Sequence, residues 1–236
     1  LMAAVKSEYR DPENIIRDEF RNPYETLTFF GIEPSMKVVE LSPGGGWYTE
    51  ILATYLNNSG ELIAAHFDKN SNSNFLKKIR KNFEKKMDSN SIYEGVKIVD
   101  LTSGLTEPRS ADAVLTFRNL HNWLGSTMDT IFANSFKALK SGGIFGVVEH
   151  RAEVGTSIQN MKKSGYVTEE HAIEVAKKHG FVLVSKSEIN SNPKDLKNYE
   201  KGVWTLPPSL RLKEKNKDKY LAIGESDRMT LLFKKP

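Results

Sequence analysis

The 236-residue chain has no cysteine, which excludes disulfides, thiolate metal sites and a cysteine nucleophile. It also has no apolar run approaching the roughly 18 residues that a membrane-spanning helix needs, so no membrane partner is expected. Neither charge sign dominates: 34 Lys and Arg stand against 30 Asp and Glu, interleaved along the chain. That gives little support for a nucleic-acid partner. No intact export signal is visible. The expected location is cytoplasmic, with export after removal of a signal as the alternative, since the chain opens at Leu1-Met2-Ala3-Ala4. What remains is ordinary for a globular protein: 39% hydrophobic and 10% aromatic residues, enough for one α/β domain with a sizeable core.

The most informative stretch is Val38-Val39-Glu40-Leu41-Ser42-Pro43-Gly44-Gly45-Gly46-Trp47-Tyr48-Thr49. A short apolar run reads as a buried strand, Pro43 and three glycines break it, and Ile51, Leu52, Tyr55 and Leu56 follow at helical spacing. Strand, glycine turn and helix together open a nucleotide-binding α/β unit. Two common versions of that unit fail. The dinucleotide fingerprint needs a small residue where Thr49 stands, and the P-loop needs a lysine that is missing after the glycines. Glu40, at the strand end, can accept bonds from sugar hydroxyls or a cationic group.

Helices are expected over residues 12–30, 75–87, 127–139 and 168–179, and strands over 62–67, 96–99, 113–117, 144–149, 181–185 and 228–233. This alternation implies a parallel sheet with helices on both faces. Arg17, Asp18, Arg21 and Asn22 read as a solvated face of the N-terminal helices, and the lysines and Arg80 of residues 75–87 as another. Ligands of such sheets sit beyond the carboxyl ends of the strands. Glu40, His66, Asp68, Asp100, Asn119, His121, Glu149, His150 and Arg151 all fall there. The usual ribose-binding acid of the second strand falls on His66, so Asp68 is expected to take that role through a shifted loop, with His66 nearby.

The spacing Glu40-x-Ser42-x-Gly44-x-Gly46 resembles the first motif of class I S-adenosylmethionine-dependent methyltransferases, with Ser42 in place of the first glycine. Asp100 precedes Asp112 by twelve residues, as in ubiquinone- and menaquinone-type methyltransferases, and Lys140-Ser141-Gly142-Gly143 resembles their turn before strand five. Through Gly45 to Glu50, Asn119 to Trp123, Val203 to Pro208 and Gly224 to Arg228, the chain resembles a bacterial group of class I methyltransferases of unassigned substrate. The resemblance implies a Rossmann-like seven-stranded sheet with an antiparallel last strand. It also implies S-adenosylmethionine as cofactor, S-adenosylhomocysteine as product and a small-molecule methyl acceptor.

It further suggests roles. Glu40, Ser42, Gly44, Gly46, Trp47 and Asn119 would surround the methionyl end, His66 or Asp68 the ribose, and Asp100 with Leu101 the adenine. The methyl would face His121, His150, Arg151 and Trp204, with His121 and then His150 as candidate bases. Trp47 or Trp123 could face the sulfonium. No metal site is expected. A nucleic-acid enzyme would carry an Asn/Asp-Pro-Pro-aromatic motif where Asn119-Leu120-His121-Asn122 stands. Residues 1–236 are expected to form one domain, with a helical cap over 12–30, a core over 35–187 and an insert over 188–226. The insert is too long and too aromatic for a hairpin, and is expected to close over the ligand as a lid. The alternative is a ligand-binding protein of the same fold without catalysis.

Overall fold

A computed structural model describes residues 1–236. Seven strands form one sheet: β1 (Lys37–Leu41), β2 (Glu61–His66), β3 (Lys97–Asp100), β4 (Ala111–Phe117), β5 (Leu139–His150), β6 (Val182–Ser187) and β7 (Arg228–Lys234). Their order is β3-β2-β1-β4-β5-β7-β6. β7 runs antiparallel to both β5 and β6, and the other pairings are parallel.

Alternation along β1 shows why Val38, Val39 and Leu41 are all apolar. Val39 and Leu41 enter one core with Val114, Phe132, Phe145 and Phe233, while Val38 enters the other with Ile51, Leu52, Leu62 and Phe83. A strand covered on both faces has no solvent side for a polar residue. Helices Ser126–Ala138 and Glu169–Lys178 contribute to the first core, Trp47–Leu56 and Asn74–Met87 to the second. No helix is long and apolar enough to cross a membrane.

Two expectations change in detail. β6 was expected to lie parallel to its neighbours, but its one partner is the antiparallel β7. Its direction still matches β1 to β5, so residues 188–226 leave from the edge where β1, β4 and β5 end. β5 also starts earlier, at Leu139, because Lys140 to Gly143 continue the extended chain toward the end of β7, where Gly142 N–H donates to Lys235 O at 2.8 Å.

Candidate active site

The order in which strands are added to the sheet reverses between β1 and β4, which is where parallel sheets of this kind open a crevice. After β1 the chain turns through Ser42, which holds φ +47°. This left-handed conformation costs an L-residue about 1–2 kcal/mol, which is why related motifs place glycine here. Ser42 N–H donates to Ala65 O at 2.8 Å, while its buried hydroxyl has no partner. Asn119 closes the crevice from the β4 side: its amide Nδ2 lies 3.1 Å from Leu41 O and 3.3 Å from Ser42 O.

The glycines differ in what they face. A side chain at Gly44 (φ +61°) or Gly45 would meet open space. At Gly46 (φ +84°) a Cβ would meet Phe83 Cε2 at 3.3 Å and Thr49 Oγ1 at 3.5 Å. Gly46 thus serves the seat of helix Trp47–Leu56 against helix Asn74–Met87. Beneath the turn Glu40 is buried and accepts from Thr49 Oγ1 at 2.6 Å. Burial pushes its carboxyl up to about 7, against the hydroxyl bond and the field of Lys86, which lower it.

The second-strand end departs from the pattern. His66 is fully buried: its Nε2–H donates to Gly44 O at 3.1 Å, and its Nδ1 accepts from Phe67 N–H at 2.7 Å. Both nitrogens are used within the protein, and burial lowers its pKa, ahead of the opposing Gly44 bond, so the ring is a neutral brace for the glycine turn. Asp68 is exposed and accepts from Asn70 N–H at 2.7 Å, capping its own loop. The short turn it forms uses one of its two carboxylate oxygens. Asp100 at the end of β3 pairs with Arg80 at 3.1 Å, and the same Arg80 nitrogen donates to Phe67 O at 2.8 Å. Arg80 is buried, contrary to its reading as part of a solvated face. Leu101 is buried, its N–H on His66 O at 2.7 Å.

Trp47 faces away from the crevice. Its Nε1–H donates to Asn14 O at 2.9 Å, and the guanidinium carbons of Arg21 and Arg10 lie 4.5 and 5.0 Å from its ring centroid. Trp123 is buried in the core. The N-terminal helices are therefore anchored by Trp47, and Tyr48 beside it stacks on Phe117 with centroids 3.5 Å apart.

Beyond β4 and β5 lies a second group. Glu149, fully buried, accepts from His150 N–H at 2.7 Å through Oε1, from Leu120 N–H through Oε2, and from His121 Nδ1–H at 3.0 Å through Oε1. No protein group hydrogen-bonds His121 Nε2. The Trp204 ring stands 5.9 Å from the His121 ring, edge to face, and His150 lies 5.3 Å away on another side. His150 Nδ1 is 2.5 Å from Ser226 Oγ. Burial first, then the charges of His121, Arg118, Arg228 and Arg21, push the His150 pKa well below the usual range, so it stays neutral. Possible ligand atoms of His121, Glu149 and His150 lie within 4.8 Å of one another, a grouping that could hold a cation. The hydrogen bonds already account for both carboxylate oxygens, and the arrangement reads as a carboxylate-oriented histidine.

Arg151, expected to face the methyl, is committed elsewhere. It pairs with Asp227 at 2.9 Å, Glu188 at 2.7 Å and Glu169 at 3.1 Å. This network ties β5 to the insert. Asn192 Nδ2 adds bonds to Ile223 O at 2.8 Å and Glu225 O at 2.7 Å, and Tyr166 OH donates to buried Asp195 at 3.0 Å. Sequence reading did not single out Glu149 as the partner of His121. The signal for it was its place at the end of an apolar strand.

No protein-family profile matches the sequence, and no curated protein does. Solved structures match along most of the chain. A S-adenosylmethionine-dependent methyltransferase from Aquifex aeolicus superposes with TM-score 0.60 at 14% identity, over 80% of this chain and 92% of that one. Geranyl diphosphate methyltransferase in complex with S-adenosylmethionine gives TM-score 0.63 at 11% identity, over 100% and 95%. The [4+2]-cyclase SpnF gives 0.63 at 15%, over 92% and 81%. The sheet order and the antiparallel β7 are those of the class I methyltransferase fold.

Proposed function

We propose that this chain is an S-adenosylmethionine-dependent methyltransferase acting on a small-molecule acceptor, with His121 as general base and Glu149 as its positioning residue. The observation that carries the reading is the buried Glu149–His121 pair at the end of β4 and β5, next to an open glycine turn at the end of β1. The residues present fit the cofactor at its methionyl end. Open space lies over Gly44, Ser42 offers an unpartnered buried hydroxyl, and Glu40 offers a carboxyl beneath the turn. Asp100, whose side chain is 35% exposed, can take the adenine amino group while Arg80 steadies it. The ribose position fits less well, because His66 is spent on Gly44 O and one oxygen of Asp68 caps its own loop.

When bound, S-adenosylmethionine supplies a methyl group on a sulfonium, open to in-line attack by an acceptor lone pair. The chain's work is positioning and proton removal. Glu149 holds the His121 Nδ1 proton, which leaves Nε2 as the basic nitrogen. Trp204 covers the imidazole edge, and residues 188–226, locked by Arg151, Asn192 and Asp195, exclude water from it. Geranyl diphosphate methyltransferase, one of the structural neighbours, is named for a small acceptor, which supports a small molecule here. A second reading, ligand binding without catalysis, is favoured by His66 at the ribose position. It predicts cofactor binding with no release of S-adenosylhomocysteine in an acceptor screen.

Glu40 gives the reading a pH test. Its folded pKa of about 7 lies above the ordinary 4.5, so it contributes stability below pH 4.5 that is lost as pH rises through 7. Its ionised form is the one that attracts a cationic amino group. S-adenosylmethionine affinity, measured by calorimetry, should rise several-fold between pH 6 and 8 and stay flat in Glu40→Gln. An identical rise in the variant would remove Glu40 from the site.

A further inference from the structure

Four arginines from distant parts of the chain converge on one buried carboxylate. Arg17 Nη2 lies 2.6 Å from Glu225 Oε1, and Arg21 Nε, Arg228 Nη1 and Arg118 Nη1 lie 3.3, 3.5 and 3.7 Å from Oε2. Four positive charges against one negative leave an excess of three. The neighbouring acids are engaged elsewhere: Asp227 holds Arg151 and Lys197, and Glu50 and Asp18 hold Arg10. Removing like charges from water without counterions is costly, so an excess of this kind needs a reason.

We propose that this cluster is an anion-binding site that takes the carboxylate or phosphoryl group of the methyl acceptor. The inference rests on the methyltransferase reading for the word acceptor, and on the cluster alone for the anion. Two donors are free for it. Arg21 is 2% exposed, and its Nη2 has no hydrogen-bond partner. The Arg118 guanidinium makes no hydrogen bond, and its side chain is 25% exposed, which makes it the mouth of the site. Arg118 also holds φ +63°, directly after β4. Burial, outweighing the opposing pull of Glu225, lowers its pKa to about 10, with Arg228 and Arg17 adding to the fall. An anion between Arg118 and Arg21 would meet planar forks suited to a bidentate oxyanion.

The location matches an acceptor. Arg118 and Asn119 are consecutive, so the cluster starts one residue from the side chain that closes the cofactor crevice. Arg228 pairs across the sheet with His150, whose ring neighbours His121. An acceptor held by its acidic group on the arginines would extend its nucleophile toward His121 Nε2.

The test uses the whole protein, with inorganic phosphate and acetate as probes and sodium chloride at matched ionic strength as control. Thermal unfolding should show a saturable rise with phosphate or acetate that chloride does not reproduce. A response to phosphate alone assigns a phosphoryl group, and to acetate alone a carboxylate. Arg118→Gln should weaken the response at least tenfold. Its melting midpoint in chloride should equal or exceed the wild-type value, because the variant relieves like-charge crowding. Equal stabilisation by chloride, an unchanged response in Arg118→Gln, or a lower midpoint in chloride would each overturn the proposal. A parallel titration of the wild type with S-adenosylhomocysteine separates the two readings: anion binding through Arg118 without nucleoside binding keeps the anion site and sinks the methyltransferase.

Discussion

Glu149→Gln should lower turnover by about 10²–10⁴-fold while S-adenosylmethionine affinity stays within a few-fold. The range is that of a lost general base or a wrongly set histidine tautomer. Glu149 accepts from two backbone N–H groups and from His121 Nδ1–H. A glutamine has one acceptor oxygen, so its NH2 must face a backbone N–H or the imidazole proton. In the first case, with the NH2 opposite Leu120 N–H, the uncharged oxygen still accepts from His121 Nδ1–H but no longer stabilises the imidazolium; in the second His121 loses the partner that keeps its proton on Nδ1. His121→Gln should cost a similar factor, and the double variant little more, because the pair acts as one unit. Additive losses would show that Glu149 only supports the fold, and normal turnover in a folded Glu149→Gln would remove the dyad from the reaction.

Glu225→Gln should be the most destabilising polar substitution in the chain, by about 3–5 kcal/mol, the range for breaking a buried ion pair from one side. Burial alone would raise the Glu225 carboxyl, but Arg21, Arg228, Arg118 and Arg17 outweigh it and hold it down to about 2. A depressed acid contributes stability that is present above its ordinary 4.5 and lost as pH falls toward 2. Wild-type urea midpoints should therefore fall steeply between pH 4.5 and 2, and those of Glu225→Gln should start lower and fall less. Equal midpoints at pH 7 would mean that solvent already neutralises the arginines.

The strands were legible because most are apolar runs, the central ones covered on both faces, and the antiparallel last strand came from the resemblance. His121 and Trp204 could be nominated because each follows an element that ends at the ligand edge, and the structure brings their rings together. The arginine cluster was not legible. Arg17 and Arg21 lie at helical spacing among polar neighbours, which is the pattern of a solvated face, and their partner Glu225 is 208 and 204 residues away. Arg80 misled for the same reason, since its partner Asp100 sits on another element. The glycine motif specified the turn but not which glycine stands open. That depends on Phe83, whose side chain closes the space at Gly46 and leaves Gly44 open.

The central claim is that the crevice above Gly44 binds the nucleoside cofactor beside the His121–Glu149 pair. Calorimetric titration with S-adenosylhomocysteine tests it most directly, on the wild type and on Gly44→Leu. A side chain at Gly44 meets no protein atom within 4 Å, so the variant costs the fold only about 1–2 kcal/mol of backbone strain while it fills the ligand's space. The account predicts one site per chain in the wild type and at least a tenfold loss of affinity in a folded Gly44→Leu. No binding to the wild type, or equal binding to both, would contradict it.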